Sequence, residues 1–211
     1  MYSNTRRRRF HPTACDPKQC KGRLQIDSAF YIIDKKTVSG RVCRMRIRKL
    51  ARNSVLIRSA AAFYQKAWQV SYADIAPRFI RHSMYPGYQG LVQQDEKGQM
   101  VGLVYGYTSR PGQYYHDLLR PALQEAGRAD WLDDCFELVE LVVDPSVRSL
   151  GIGTALLDQL LTAAPNRTAV LTTRENNTGA IQFYERNGWE LLKDSFYPNE
   201  KAYRIYGKEL K

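Results

Sequence analysis

Val143-Asp144-Pro145-Ser146-Val147-Arg148-Ser149-Leu150-Gly151-Ile152-Gly153-Thr154 is the stretch on which the fold turns. Before it, Phe136 to Val143 is a near-continuous apolar run broken only by Glu137 and Glu140, which reads as a central strand buried on both faces. After it, Thr154 to Ala164 sets Ala155, Leu156, Leu157, Leu160 and Leu161 on one helical face, until Pro165-Asn166 stops the run. A short loop from a buried strand into a helix N-terminus gathers backbone N–H groups that no carbonyl satisfies. The helix dipole adds to them, so the segment is an anion cradle. Gly151 and Gly153 allow the close approach and unusual dihedrals of such a nest, and Arg148 adds a formal positive charge.

Three phosphate-binding patterns compete for this loop. A Walker A loop ends in Gly-Lys-Ser/Thr, which is absent. A dinucleotide fingerprint needs a third glycine, and Leu156 occupies that position. Arg-x-x-Gly-x-Gly remains.

Working outward, Met45 to Leu50 alternates apolar and basic residues in the manner of a half-buried strand. Ser54 stands where a helix N-cap belongs, and the stripe behind it reaches Trp68. A second helix is predicted from Tyr72 to about Ser83, ended by Pro86-Gly87. Gly90 to Gln94 and Met100 to Thr108, joined through Asp95-Glu96-Lys97-Gly98, form a hairpin. An insertion from Ser109 to Asp134 contains a helix around His116 to Ala126. Downstream, Thr168 to Thr173 is a strand and Thr178 to Arg186 a helix stopped by Asn187-Gly188. Trp189 to Leu192 and Ala202 to Tyr206 close the chain as a strand pair. The alternation gives a mixed α/β domain, a central mixed twisted sheet flanked by helices.

Asn177-Thr178-Gly179-Ala180-Ile181-Gln182-Phe183-Tyr184-Glu185-Arg186-Asn187-Gly188-Trp189 supplies a second signature, one helix and one strand beyond the first. It has the form Asn-x-x-Ala-x-x-x-Tyr followed by Gly and an aromatic. With both signatures in this order, the chain from about Met45 to Leu210 resembles the general-control-type N-acetyltransferase (GNAT) superfamily. The resemblance implies the acyl-CoA N-acyltransferase fold and acetyl-CoA as cosubstrate, with no metal. It implies that the backbone of Leu141, Val142 and Val143 pairs with the pantetheine arm. The amides of Arg148, Ser149, Leu150, Gly151, Ile152, Gly153 and Thr154 would hold the pyrophosphate, and Asn177 would contact the cofactor. Tyr184 would sit near the thioester sulfur. A phenol with an ordinary pKa of about 10 is protonated at neutral pH and can protonate a departing thiolate; packing alone is the alternative role.

Acetyl transfer needs a neutral amine, so a base or a water chain to one is expected. Glu137 and Glu140 are the candidates, because a carboxylate inside an apolar strand is costly without a partner or a task. Alternation puts Glu137 on one face with Val139 and Leu141, and Glu140 on the other. Glu137 precedes Arg148 by the offset of the catalytic glutamate in histone-acetylating members of the family, and it is preferred; a purely structural ion pair is the competing role. In the insertion and the preceding strand, Tyr105, Tyr107, Tyr114, Tyr115, His116 and Trp131 offer aromatic walls. Asp117, Asp130, Asp133 and Asp134 could attract a cationic amine. Several of the aromatics must be core, and His116 alone reads as a surface or packing histidine.

Length and charge bound the rest. The chain has 211 residues and a formal charge of +11, yet residues 1–53 carry a net +12 and the remainder a net −1. The basic character belongs to the N-terminal quarter, and because Met45 opens the first recognisable strand the chain divides into a basic extension, residues 1–44, disordered or outside the native domain, and an acetyltransferase domain, residues 45–211. Nucleic-acid binding through Arg6 to Arg9 and the rest of this leader, with the acyl-CoA fold as scaffold, is the alternative function. No secretory core follows the arginine run and no stretch is long and apolar enough for a bilayer, so a cytoplasmic protein with free thiols is expected. His11, Cys15, Cys20 and Cys43 match no tight zinc-knuckle spacing. The acceptor is left as a small-molecule or protein amine, and the chain as a monomer or homodimer.

Overall fold

The computed structural model describes residues 24–27, 30–36, 42–52 and 55–211, with side chains from residue 46 onward. In chain order the strands are β1 (Leu24–Asp27), β2 (Phe30–Lys36), β3 (Val42–Lys49), β4 (Gln89–Gln94), β5 (Met100–Thr108), β6 (Cys135–Val143), β7 (Thr168–Arg174), β8 (Glu190–Phe196) and β9 (Tyr203–Glu209). The helices are α1 (Val55–Trp68), α2 (Tyr72–Ser83), α3 (Tyr114–Glu125), α4 (Ile152–Ala163) and α5 (Thr178–Arg186). Ser54, Arg6 to Arg9, Cys15 and Cys20 lie outside the described residues, as does the side chain of Cys43, so the capping and zinc expectations concern parts of the chain not described.

One sheet runs β1-β2-β3-β4-β5-β6-β7-β9-β8, antiparallel throughout except for the β6–β7 pair. The mixed sheet expected from the sequence is therefore present. The closing strands pair as expected, with β9 inserted between β7 and β8 so that it takes the free edge of β7.

Alternation along the central strands feeds two cores. Leu91, Val104, Phe136 and Leu138 face α4, whose Leu156, Leu157, Leu160 and Leu161 are buried against them together with Ile181 and Trp189. Val92, Leu103 and Tyr105 face the other way, against Ile57, Ala60 and Ala61 of α1 and Ala76 and Phe79 of α2. A third cluster sets Leu119 and Leu123 of α3 and Trp131 on Ile205 and Phe196. Each fully buried leucine contributes about 1.5–3 kcal/mol, so the α4 face anchors the helix whose N-terminus meets the glycine loop.

Two irregularities shape the site. The first is a β-bulge between β5 and β6. Tyr105 pairs with Glu140 and Gly106 with Leu138, leaving Val139 as an extra residue, and Tyr107 then pairs with Glu137. Tyr105 and Tyr107 alternate normally and share a face, so Glu137 and Glu140 share it too. The expectation of opposite faces is corrected: strict period-two counting fails across the inserted residue.

Gly106 makes this possible, since a Cβ there would overlap the Glu137 carbonyl oxygen and lie 2.5 Å from the Phe136 ring. We expect Gly106→Ala to destabilise the protein by about 1–3 kcal/mol, the usual range for overpacking, and thermal unfolding checks this.

The second irregularity is that β6 and β7 stay in register only from Cys135↔Thr168 to Glu137↔Val170. Beyond that point β6 keeps only β5, and β7 keeps only β9. The strands splay, and a cleft opens between them.

Candidate active site

The cleft has a volume of ≈ 570 Å³. Its floor is Glu137 to Leu141 of β6 on one side and Leu171 to Arg174 of β7 on the other. Asn177 and Tyr184 come in from α5, Tyr114 and Tyr115 from α3, and Tyr64, Trp68, Arg78, Arg81 and His82 from α1 and α2. Leu141, Val142 and Val143 pair with Val104, Leu103 and Gly102 on one edge and, among the described residues, have no strand on the other. That free edge of N–H and C=O groups is where an extended ligand can add as a further strand.

At the end of β6 the glycine loop is exposed and held by its own side chains. Asp144 accepts from the Ser146 N–H at 2.9 Å, and Arg148 Nε donates to the Val143 carbonyl at 3.2 Å. Ser149 and Gly151 take φ of 63° and 75°, so the loop has two left-handed turns before the helix. The helix begins at Ile152, two residues earlier than the sequence pattern suggested, because Gly151 reverses the chain there and its carbonyl accepts the first helical bond from Ala155. The N–H groups of Ile152, Gly153 and Thr154 precede that bond and point out of the helix end. Gly153 has ordinary helical geometry; what a side chain there would meet is the Phe183 ring, 3.3 Å away. A left-handed loop, three outward amides and Leu150 at the surface leave room for a diphosphate, so the donor set fits that group.

Glu137 is only 4% exposed and is hydrogen-bonded by two hydroxyls. Tyr107 Oη donates to Oε1 at 2.8 Å and Ser109 Oγ donates to Oε2 at 3.2 Å. Burial pushes its carboxyl up to about 7, with the two hydrogen bonds opposing. Glu140 is different: Arg78 donates to its Oε1 at 2.7 Å in a partly buried ion pair. Burial raises the Glu140 carboxyl while Arg78 lowers it. Of the two candidates, Glu140 has the structural partner, and among the described residues Glu137 has none of opposite charge.

Tyr184 lines the cleft between the Phe183 and Trp189 rings, with centroids 5.3 and 5.9 Å away. Burial, and secondarily the Glu140 carboxylate, raise its phenol above the ordinary value. Asn177 is the N-cap of α5; its Oδ1 accepts from the Ala180 N–H at 3.2 Å, which leaves its amide group for the cleft.

The insertion divides. Tyr107, Tyr114 and Tyr115 reach the cleft, whereas Tyr105 and Trp131 are core. His116 is fully buried, and not a surface residue. None of the four aspartates lines the cleft: Asp117 accepts from the Gly112 N–H, Asp133 pairs with Arg120, and Asp134 accepts from Asn166 and Arg167. Sequence reasoning missed the wall built by α1 and α2. The available signal was Arg78 and His82, one turn apart on a stripe with Phe79. His82 Nδ1 lies 3.2 Å from Tyr105 Oη, and burial followed by Arg78 and Arg81 lowers its pKa to about 3.

Among the described residues no group of three or more His, Cys, Asp or Glu is placed to hold a metal ion. No helix there is long and apolar enough to cross a membrane.

Comparison with known proteins places this geometry. The chain is 30% identical over 121 residues to a GCN5-like protein acetyltransferase of Mycobacterium tuberculosis, covering 53% of this chain and 59% of that one. It is 41% identical over 51 residues to a peptidyl-lysine N-acetyltransferase of Salmonella typhimurium, covering 24% and 34%. The chain thus spans less than two thirds of the length of these curated relatives. A phosphinothricin acetyltransferase from Sinorhizobium meliloti, solved with acetyl-CoA, shares the fold at a TM-score of 0.54, with 20% identity over 77% of this chain and 86% of that one. A GNAT-family acetyltransferase from Staphylococcus aureus does so at 0.54, with 18% identity over 79% and 99%. The model of the acetyltransferase (GNAT) family matches residues 55–189, from the start of α1 to Trp189 and across both signatures, and the chain belongs to that family.

Proposed function

We propose that this protein transfers the acetyl group of acetyl-CoA directly to a primary amine, with Glu137 as general base and Tyr184 as general acid. The observation that carries the reading is a buried carboxylate poised near neutrality on the floor of a cleft that also holds a protonated phenol. Acetyl-CoA supplies the activated thioester. The free edge of Leu141, Val142 and Val143 would hold its pantetheine arm, and the loop from Arg148 to Thr154 its pyrophosphate. Asn177 would contact it through the side-chain amide that capping leaves over.

The base is needed for a numerical reason. A lysine-type amine has a pKa of about 10.4, so moving its proton to a carboxylate of ordinary pKa costs about 8 kcal/mol. Moving it to Glu137, at about 7, costs about 5 kcal/mol. Tyr184 keeps its proton through the neutral range and presents it from Oη to a developing thiolate. Its raised pKa favours a proton that follows C–S cleavage over one that leads it.

We put a protein lysine first as acceptor, since the two curated relatives are named for protein and peptidyl-lysine acetylation. A small amine is the second class. In this reading residues 45–211 carry the acetyltransferase machinery and residues 1–44 are an extension whose β1, β2 and the start of β3 continue the sheet at its edge, and the cytoplasm, where thiols such as Cys135 stay reduced, is the compartment.

A panel of lysine peptides and small amines, assayed for CoA release with acetyl-CoA present, tests the function. Amine-dependent release with N-acetylated product is expected; no release with any amine overturns it.

A further inference from the structure

Behind Glu137, away from the amine side, a chain of hydrogen bonds runs into α3. Ser109 directly follows β5, its N–H fixed on the Cys135 carbonyl at 2.8 Å. Its Oγ lies 3.0 Å from His116 Nδ1 as well as 3.2 Å from Glu137 Oε2. One turn further along α3, Arg120 Nε donates to His116 Nε2 at 3.3 Å, and its guanidinium lies 3.8 Å from Asp133 Oδ1 at the surface. An arginine N–H can only donate. His116 Nε2 is therefore the acceptor nitrogen, and in the neutral ring Nδ1 carries the proton. Burial and Arg120 both lower the His116 pKa and keep that ring neutral. The Nδ1 proton then goes to Ser109 Oγ, which leaves the serine hydroxyl to donate to Glu137.

Every donor along this line points one way. The order also separates it from a hydrolase triad, since the serine sits between histidine and carboxylate and is itself buried. Nor does the line carry a proton outward, because His116 Nδ1 is already occupied. What it supplies is orientation: with Tyr107 on Oε1 and Ser109 on Oε2, two of the carboxylate's four acceptor directions are fixed and the others stay free for an amine proton. We propose that Ser109, His116 and Arg120 are positioning residues for acetyl transfer, a one-way hydrogen-bond chain in which Arg120 selects the His116 tautomer and thereby turns the Ser109 hydroxyl onto Glu137. This rests on the reading of Glu137 as the base.

The groups around Glu137 leave it the one that titrates near pH 7. Tyr107 of β5, Tyr115 of α3 and Cys135 of β6 are all raised by burial and stay neutral there. His82, on α2 against the Tyr107 ring, is neutral as well. Tyr85 stacks edge-on to Tyr107, Glu140 is tied to Arg78, and β7 faces Glu137 with Val170.

The test is the acidic limb of the kcat/KM–pH profile in the full chain, together with the carboxyl ¹³C titration of Glu137. Ser109→Ala and His116→Phe each remove donor support, so both readouts move up by about one pH unit. His116→Gln, which restores an N–H donor, moves them back. Arg120→Met changes a side chain 42% exposed, well tolerated by the fold, and shifts the limb the same way. Its histidine ¹⁵N spectrum loses the pure Nδ1–H tautomer of the parent protein, which a merely structural residue would not alter. An unmoved limb in these variants, while Glu137→Gln abolishes it, overturns the positioning chain and leaves the base in place. A limb that survives Glu137→Gln overturns both. If a buried variant fails to fold, an unmoved limb and unchanged tautomer in Arg120→Met overturn the chain alone.

Discussion

Glu137→Gln is expected to lower kcat/KM at pH 7.5 by about 10²–10⁴-fold, the usual contribution of a positioned acid or base, and to remove the acidic limb of the rate profile. The same substitution is expected to stabilise the fold. The Glu137 carboxyl goes from an ordinary 4.5 to about 7 in the native protein. Between those values the folded chain holds a proton that the unfolded chain has lost, so this group's contribution to stability falls as pH rises through the window and is flat above it. At pH 8 the ionised group therefore costs up to about 3 kcal/mol, which a neutral amide avoids in part. Activity lost with stability gained marks a residue kept for chemistry, and thermal unfolding across pH 5–8 measures it. Glu140→Gln gives the contrast. It breaks the 2.7 Å pair with Arg78, so stability falls and the limb stays. A stabilised Glu140 variant or a destabilised Glu137 variant would reverse the two assignments.

Acetyl-CoA affinity should fall at least about 100-fold in Gly151→Asp, and by a comparable factor in Arg148→Glu, as read by calorimetry. Two effects combine at Gly151. A side chain at φ 75° costs about 1–2 kcal/mol locally, which the exposed loop can absorb without unfolding. The larger effect is a carboxylate placed at the outward amides of Ile152, Gly153 and Thr154, where it competes with a diphosphate for the same donors and repels it. Arg148 works through charge: its Nε is tied to the Val143 carbonyl, which fixes the guanidinium beside the loop. Unchanged affinity in both variants would remove the loop from the cofactor site.

Most of the architecture is legible in the residues because burial and periodicity agree there. The hairpin at Asp95 to Gly98, the apolar face of α4 and the stop at Asn187-Gly188 each state their own geometry. The loop from Asp144 to Gly151 is legible for a related reason, since glycine placement reports backbone shape directly. What stayed hidden depends on contacts between distant segments. The bulge at Val139 leaves no local mark, because it is set by Gly106, thirty-three residues earlier, accepting the Glu137 carbonyl where any side chain would collide. The His116 environment is hidden for another reason: Ser109 and Arg120 are near it in sequence, but that the turn after β5 lays Ser109 over the ring, and that the ring is buried, follows only from the packing of α3 on the sheet. The cleft wall from α1 and α2 was obscured because Arg78 and His82 look solvated in sequence, and only tertiary packing buries His82 and half-buries Arg78.

The bulge has one more consequence, for how this site tolerates change. A strand reads its residues by parity, odd to one side and even to the other, and a spacing of three ordinarily sends two side chains apart. Here the surplus Val139 makes that spacing an even count, which puts the Glu137 carboxylate and the Glu140–Arg78 ion pair on the same side. Substitutions in this part of β6 therefore adjust the site by degrees, whereas losing Val139 would remove the bulge and still keep the two carboxylates on one side, and a further residue added without widening the bulge would turn one of them away. The position acts as a reading frame within the fold, in which a change of length counts by its parity.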